Sequence, residues 1–125
     1  MDEEFDILEV IMTSIEEELN IPCFFMFCEE DLVDSYVIFQ VTSEQETDVF
    51  DNSPIGEYYK LEITLWYTRP SDSILYRKIK NKLKEKGFKY KKSWDIIDEN
   101  SNKTSETVRY YGKLMNFEYK RYIKE

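Results

Sequence analysis

The sequence predicts an α+β fold: a mostly antiparallel five-stranded sheet with two helices packed on one face. Three observations carry this expectation. Two segments repeat apolar residues every three or four positions, five others are extended and rich in branched and aromatic residues, and the order is helix, three strands, helix, two strands. That order holds a single strand–helix–strand crossover, so a repeating parallel α/β arrangement is not expected. With 125 residues the chain has room for one domain, residues 1–125.

In the first segment Phe5, Leu8, Met12, Ile15 and Leu19 form an apolar stripe opposite Asp6, Glu9, Glu16 and Glu17, and Asn20 and Pro22 end it. Residues 23–28, all Cys, Phe or Met, read as a buried strand, residues 29–34 as a polar turn, and residues 36–41 as a second strand. Cys23 and Cys28 point to opposite faces of an extended segment, more than about 7 Å apart, and read as two reduced core thiols. Residues 42–57 read as a polar loop longer than an ordinary connection, with Glu44, Glu46, Asp48 and Asp51 around the apolar pair Val49 and Phe50. Phe50 either folds back onto the core or serves as an aromatic anchor for a partner.

The clearest alternation follows, with Tyr59, Leu61, Ile63, Leu65 and Tyr67 on one face and Tyr58, Lys60, Glu62, Thr64 and Trp66 on the other. Pro70, Ser71 and Asp72 start a second helix, Leu75, Ile79 and Leu83 give it an apolar stripe, and Gly87 stops it. Lysines at 78, 80, 82, 84 and 86 occupy its remaining surface. Phe88, Tyr90, Lys92, Trp94 and Ile96 then alternate with Lys89, Lys91, Ser93, Asp95 and Ile97. A polar bend over residues 98–105 returns the chain as a hairpin. Its second strand sets Val108, Tyr110, Gly112 and Leu114 against Arg109, Tyr111, Lys113, Met115, Phe117 and Tyr119.

Chemistry is hard to find in this composition. There is no His, and Gly56, Gly87 and Gly112 are too scattered for a phosphate-cradling loop. The cysteines lack an activating base, and the serines lack a nucleophile turn. No cofactor, no metal and no catalysis are therefore expected. The longest apolar run, residues 21–28, is far below the roughly 18 residues of a membrane span, and Asp2, Glu3 and Glu4 are opposite in sign to a secretory leader. No membrane partner and intracellular synthesis are the expectations. Lys89, Lys91 and Lys92 among the aromatics of residues 88–94 are the one stretch resembling a stacking surface for single-stranded nucleic acid. A strand with an aromatic core face and a wet lysine face explains it more simply in a chain of net charge −9.

That net charge hides a polarity. Residues 1–57 hold 17 acidic side chains and no Lys or Arg, whereas residues 58–125 hold all 17 basic ones. The halves carry −17 and +8. Such halves can neutralise one another inside the fold, or can drive head-to-tail self-association in which an acidic surface meets a basic surface of the next copy. The candidate partner contacts are Glu44, Glu46, Asp48, Val49, Phe50 and Asp51 on the acidic side and Lys78, Lys82, Lys89, Lys91 and Lys92 on the basic side. A competing expectation is a small acidic mimic of nucleic acid that inhibits a host enzyme, which requires a spaced negative stripe over one face.

The strand LEITLWYT (residues 61–68), the Asp72-initiated helix ending in KGF (residues 86–88), the strand over residues 94–97 and the final strand over residues 110–119 come in a telling order. With the preceding helix and Asn20-Ile21-Pro22 leading into an aromatic strand, this order resembles the small tail completion proteins, or tail terminators, of long-tailed bacteriophages of low-GC Gram-positive hosts. The likeness covers about four fifths of the chain at the level of element order. It implies a non-enzymatic virion protein, made in the host cytoplasm and located at the head–tail interface. It further implies a homo-hexameric ring that caps the major tail tube protein and presents the tail to the head connector. Double-stranded DNA would be met only as the passing genome. The loops over residues 42–57 and 98–105 would then be candidates for tube or connector contacts.

Overall fold

The computed structural model describes residues 6–26, 35–47, 56–97 and 111–122. In chain order these are helix α1 (Ile7–Met12) running into a π-helical turn (Thr13–Glu17), β1 (Cys23–Phe25), β2 (Tyr36–Thr47), β3 (Gly56–Tyr67), a 3-10 turn (Pro70–Ile74), α2 (Leu75–Glu85), β4 (Lys89–Ile97) and β5 (Tyr111–Tyr122). The fold is α+β, with a five-stranded sheet and two helices.

Two features of the expected sheet are corrected. The sheet is mixed rather than mostly antiparallel, because β1 runs parallel to β2, pairing Cys23 with Val37 and Phe25 with Phe39. Adjacent parallel strands need a long connection, and the stretch between Phe25 and Tyr36 supplies one. The strands also do not lie in chain order but as β1-β2-β3-β5-β4. The α2 crossover carries β4 past one vacant position beside β3, and β5 turns back to fill it, antiparallel to both neighbours.

The alternating residues of β3 organise the core. Tyr59, Leu61, Ile63, Leu65 and Tyr67 are buried on one face with Val37 and Phe39 of β2 and Met115 and Phe117 of β5. Ile7, Ile11 and Ile15 from the first helical segment and Ile79 and Leu83 from α2 close the same cluster. The first helical segment buries Ile7 and Ile11 together with Ile15 of the expected stripe, whereas Leu8, Met12 and Leu19 are only partly buried against the same cluster; Phe5 lies outside the described residues. The π-helical turn, marked by the Glu18 N–H donating to the Thr13 carbonyl at 3.1 Å, shifts the helix phase and turns Ser14 inward beside Ile15. Ser14 stays satisfied by donating to the Val10 carbonyl at 2.7 Å.

The ends of these helices are set by local chemistry. Asp6 caps α1 by accepting from the Leu8 and Glu9 N–H groups at 2.9 and 3.4 Å. α2 ends in a Schellman pair, with the Phe88 N–H donating to the Leu83 carbonyl and the Gly87 N–H to the Lys84 carbonyl. Gly87 occupies φ +98°, which a side chain rarely tolerates.

The strands reach further than the apolar pattern. β2 continues through residues 42–47 and pairs along the first residues of β3, so residues 42–47 and 56–57 of the expected loop are strand instead, and residues 48–55 lie outside the described residues. Register steps by one residue at Thr42 in β2 and again at Lys91 in β4. The second step changes the faces of β4: Tyr90 packs toward the core against Phe117, whereas Lys92, Trp94 and Ile96 lie opposite Asn116, Leu114 and Gly112 on the other face. Tyr90 and Trp94 therefore do not share the face that strict alternation gave them, and the expected aromatic stacking stretch is divided.

On that second face Gly112 is buried beneath Trp66 and Ile96; a Cβ there would sit 2.5 Å from Ile96 Cγ1 and 2.8 Å from Trp66 Cζ3. Gly112→Ala is expected to lower stability by about 1–3 kcal/mol through overpacking. Gly87→Ala is expected to cost about 1–2 kcal/mol through its left-handed backbone. Urea unfolding of both variants measures these losses, and an unchanged midpoint for Gly112→Ala would remove Trp66 from its assigned position.

Candidate functional site

The sheet order sets the strands of the two halves on either side of β3: β1 and β2, with α1, form one flank and β5 and β4, with α2, form the other, the flanks meeting where the first helical segment touches α2 over the core. α1 packs beside β1, and α2 packs beside β4, where Lys80 Nζ lies 4.2 Å above the Tyr90 ring. β2 and β4 are three strand spacings apart, about 14 Å, beyond the reach of a direct ion pair.

The acidic flank carries exposed Glu9, Glu16 and Glu17 on its helix and exposed Glu44 and Glu46 on β2. None of these five has an ion-pair partner among the described residues. Glu46 is set directly across from Glu57, a like-charge pairing that costs stability unless a cation approaches. Arg121 from β5 supplies one for Glu57, at 3.1 Å. Glu44, Gln45, Glu46, Glu57 and Tyr59 line a shallow depression at this end of the hairpin. Burial, with Glu57 and Glu44 adding repulsion, pushes the Tyr59 hydroxyl up to about 12.

The basic flank carries Lys78 and Lys84 on α2 and Lys89, Lys91 and Lys92 on β4, all exposed. Lys78, Lys84 and Lys89 have no ion-pair partner among the described residues. Lys91 lies 4.0 Å from Glu118, and Lys92 stands over the Trp94 ring at 5.3 Å. Lys82 differs from the rest. It is drawn inward between Glu18 at 3.4 Å and Glu85 at 3.6 Å, so it serves the junction of the two helices rather than an outer contact. Lys86 joins it on Glu18 at 2.9 Å, and this bond holds the Glu18 carboxyl below its ordinary range.

The sequence-derived contacts therefore fall into two groups on opposite flanks: Glu44 and Glu46 on one, Lys78, Lys89, Lys91 and Lys92 on the other. Asp48, Val49, Phe50 and Asp51 lie outside the described residues. Sequence reading missed an open depression of about 520 Å³ on the second sheet face, lined by Thr42, Lys60, Glu62, Lys91, Lys92, Asn116 and Glu118. It lies where the register steps of β2 and β4 fall at one level across the sheet. Within it Gln40 Nε2 donates to Glu62 at 3.1 Å and Lys91 faces Glu118 at 4.0 Å.

Cys23 sits in the core, where burial, and secondarily Glu16, pushes its thiol up to about 12 from an ordinary value of 9.0. A neutral, enclosed thiol is a poor nucleophile. In a Cys28→Ser variant, Cys23 is expected to resist alkylation at pH 8 in the folded protein and to react in denaturant. Because the folded pKa exceeds the unfolded one, its contribution to stability is full below the ordinary value and is lost as pH rises through about 12. Alkylation of the folded variant as fast as of the unfolded one would contradict this burial.

No protein-family model matches the chain, and no curated protein matches it either.

Proposed function

We propose that the chain is a self-assembling structural subunit of a long-tailed phage virion, a tail completion protein whose ring caps the tail tube and meets the head connector. The observation that carries self-assembly is the pair of flanks bearing charges of opposite sign that have no ion-pair partner among the described residues. In a head-to-tail ring each acidic flank meets a basic one, so the same attraction is used at every interface. The tail assignment comes from the resemblance in the order and character of the elements over residues 61–119.

The competing reading, a nucleic-acid mimic, needs carboxylates spread in a stripe over one face. Here they gather at one flank while lysines crowd the other, and a basic groove on a host enzyme would be repelled by the second. The flank distribution thus favours contact between copies.

Light scattering on the purified chain, alone and with isolated tail tubes, tests the proposal. A closed oligomer, either free or seated on tube ends, is expected, and its formation should weaken as salt rises from about 0.05 to 1 M, where the screening length falls to roughly 3 Å. A chain that stays monomeric at high concentration and neither binds tubes nor limits their length would overturn it.

A further inference from the structure

We infer that two copies pair face to face through the side of the sheet that the helices leave open, about a two-fold axis that runs along the strands between β3 and β5. This contact lies apart from the flank contact of the proposed ring and does not depend on it.

The first observation is an apolar surface with no described helix over it. α1 and α2 both close the core on the other side of the sheet. On the open side the pairings bring Phe24, Ile38, Thr64, Leu114 and Trp94 level across the strands, with Tyr36, Trp66, Gly112 and Ile96 level in the next row. Trp94 remains 39% exposed there. Both tryptophans of the chain lie on this one surface. Bulky apolar side chains gathered on an uncovered face mark a place of contact.

Extent is the second. The rows continue through Gln40, Glu62, Asn116 and Lys92 to Ser43, Lys60, Glu118 and Lys89. From Tyr58 to Trp66 of β3, and across β2, β3, β5 and β4, this surface measures roughly 19 by 30 Å in flat projection. Its accessible area is larger and approaches the roughly 800 Å² per partner of a stable interface. Two sheets stacked in this way lie about 10 Å apart, with their strands within about 30° of one another.

Charge fixes the axis. A two-fold axis over β3 would set Lys60 against Lys60 and Glu62 against Glu62, and one over β5 would set Glu118 against Glu118 and Lys60 against Lys89. Between β3 and β5 the like charges separate: Lys60 of each copy faces Glu118 of the other, Glu62 faces Asn116, and Gln40 faces Lys92. The apolar rows meet in the same register, Ile38 against Trp94 and Tyr36 against Ile96. An axis between β5 and β4 also avoids like charges but overlaps only those two strands. An axis across the strands, centred on the whole face, would lay lysines and glutamates over the tryptophans. Lys60 is exposed and has no ion-pair partner among the described residues, so it is available to the second copy.

Two reversals, K60E and E118K, test the pairing, with the folding of each checked by thermal melts. In sedimentation the parent should form a dimer that persists at about 1 M salt, where flank attraction is screened beyond roughly 3 Å. Acrylamide quenching of the two tryptophans should fall as the dimer forms. Each reversal alone should pair at least about tenfold more weakly, because like charges then face each other at both symmetry-related places. A one-to-one mixture of the two should regain the parent's affinity. Positions 60 and 118 also lie across from each other within one chain, and a loss caused by the fold alone would not return on mixing. A parent that stays monomeric overturns the pairing, whether its tryptophans are open to the quencher or shielded by other residues of the same chain. Reversals without effect, or a loss that mixing does not restore, would overturn it too. An oligomer that dissociates in salt and leaves the tryptophans as accessible as in the monomer would refute this pairing and leave the flank reading standing. A salt-resistant dimer that neither closes into a ring nor binds tubes would uphold the pairing and remove the ring.

Discussion

The fold depends on one strand having to bury one side. β3 brings Tyr59, Leu61, Ile63, Leu65 and Tyr67 to a single face, and each fully buried side chain of this kind contributes about 1.5–3 kcal/mol. A strand in that situation needs neighbours on both edges and a cover above. β2 and β5 supply the edges, and the isoleucines of α1 with Ile79 and Leu83 of α2 supply the cover. Since β3 also lies near the middle of the chain, the described strands before it lie on one side of it and those after it on the other, so part of the polarity written along the sequence becomes a polarity across the sheet.

Elements with apolar periodicity of their own were legible from the sequence. β3 and α2 are cases where the pattern of two and the pattern of four coincide with what is buried. The continuation of β2 was not legible, because residues 42–47 extend beyond the helices that cover the core and so carry Thr, Ser, Glu and Gln with no pattern to read. The reversal of faces in β4 hangs on one extra residue at Lys91, which alternation alone cannot locate. The parallel placement of β1 follows from three residues finding the outer edge of β2, a long-range choice that no local signal encodes. For the candidate site, the charged residues were visible as types, yet their segregation required knowing that β5 sits between β3 and β4.

Part of the attraction between halves is used within the subunit. Glu18 holds Lys82 and Lys86 where the helices meet, and Arg121 holds Glu57 across β3 and β5. Partly exposed pairs of this sort add little to stability. The core already accounts for the fold, so Glu44 and Glu46 on one side and Lys89 on the other, which have no ion-pair partner among the described residues, are not required by it. Charges left unmatched on a stable scaffold act chiefly on encounter and selectivity, where the sign of a whole flank matters more than any single contact.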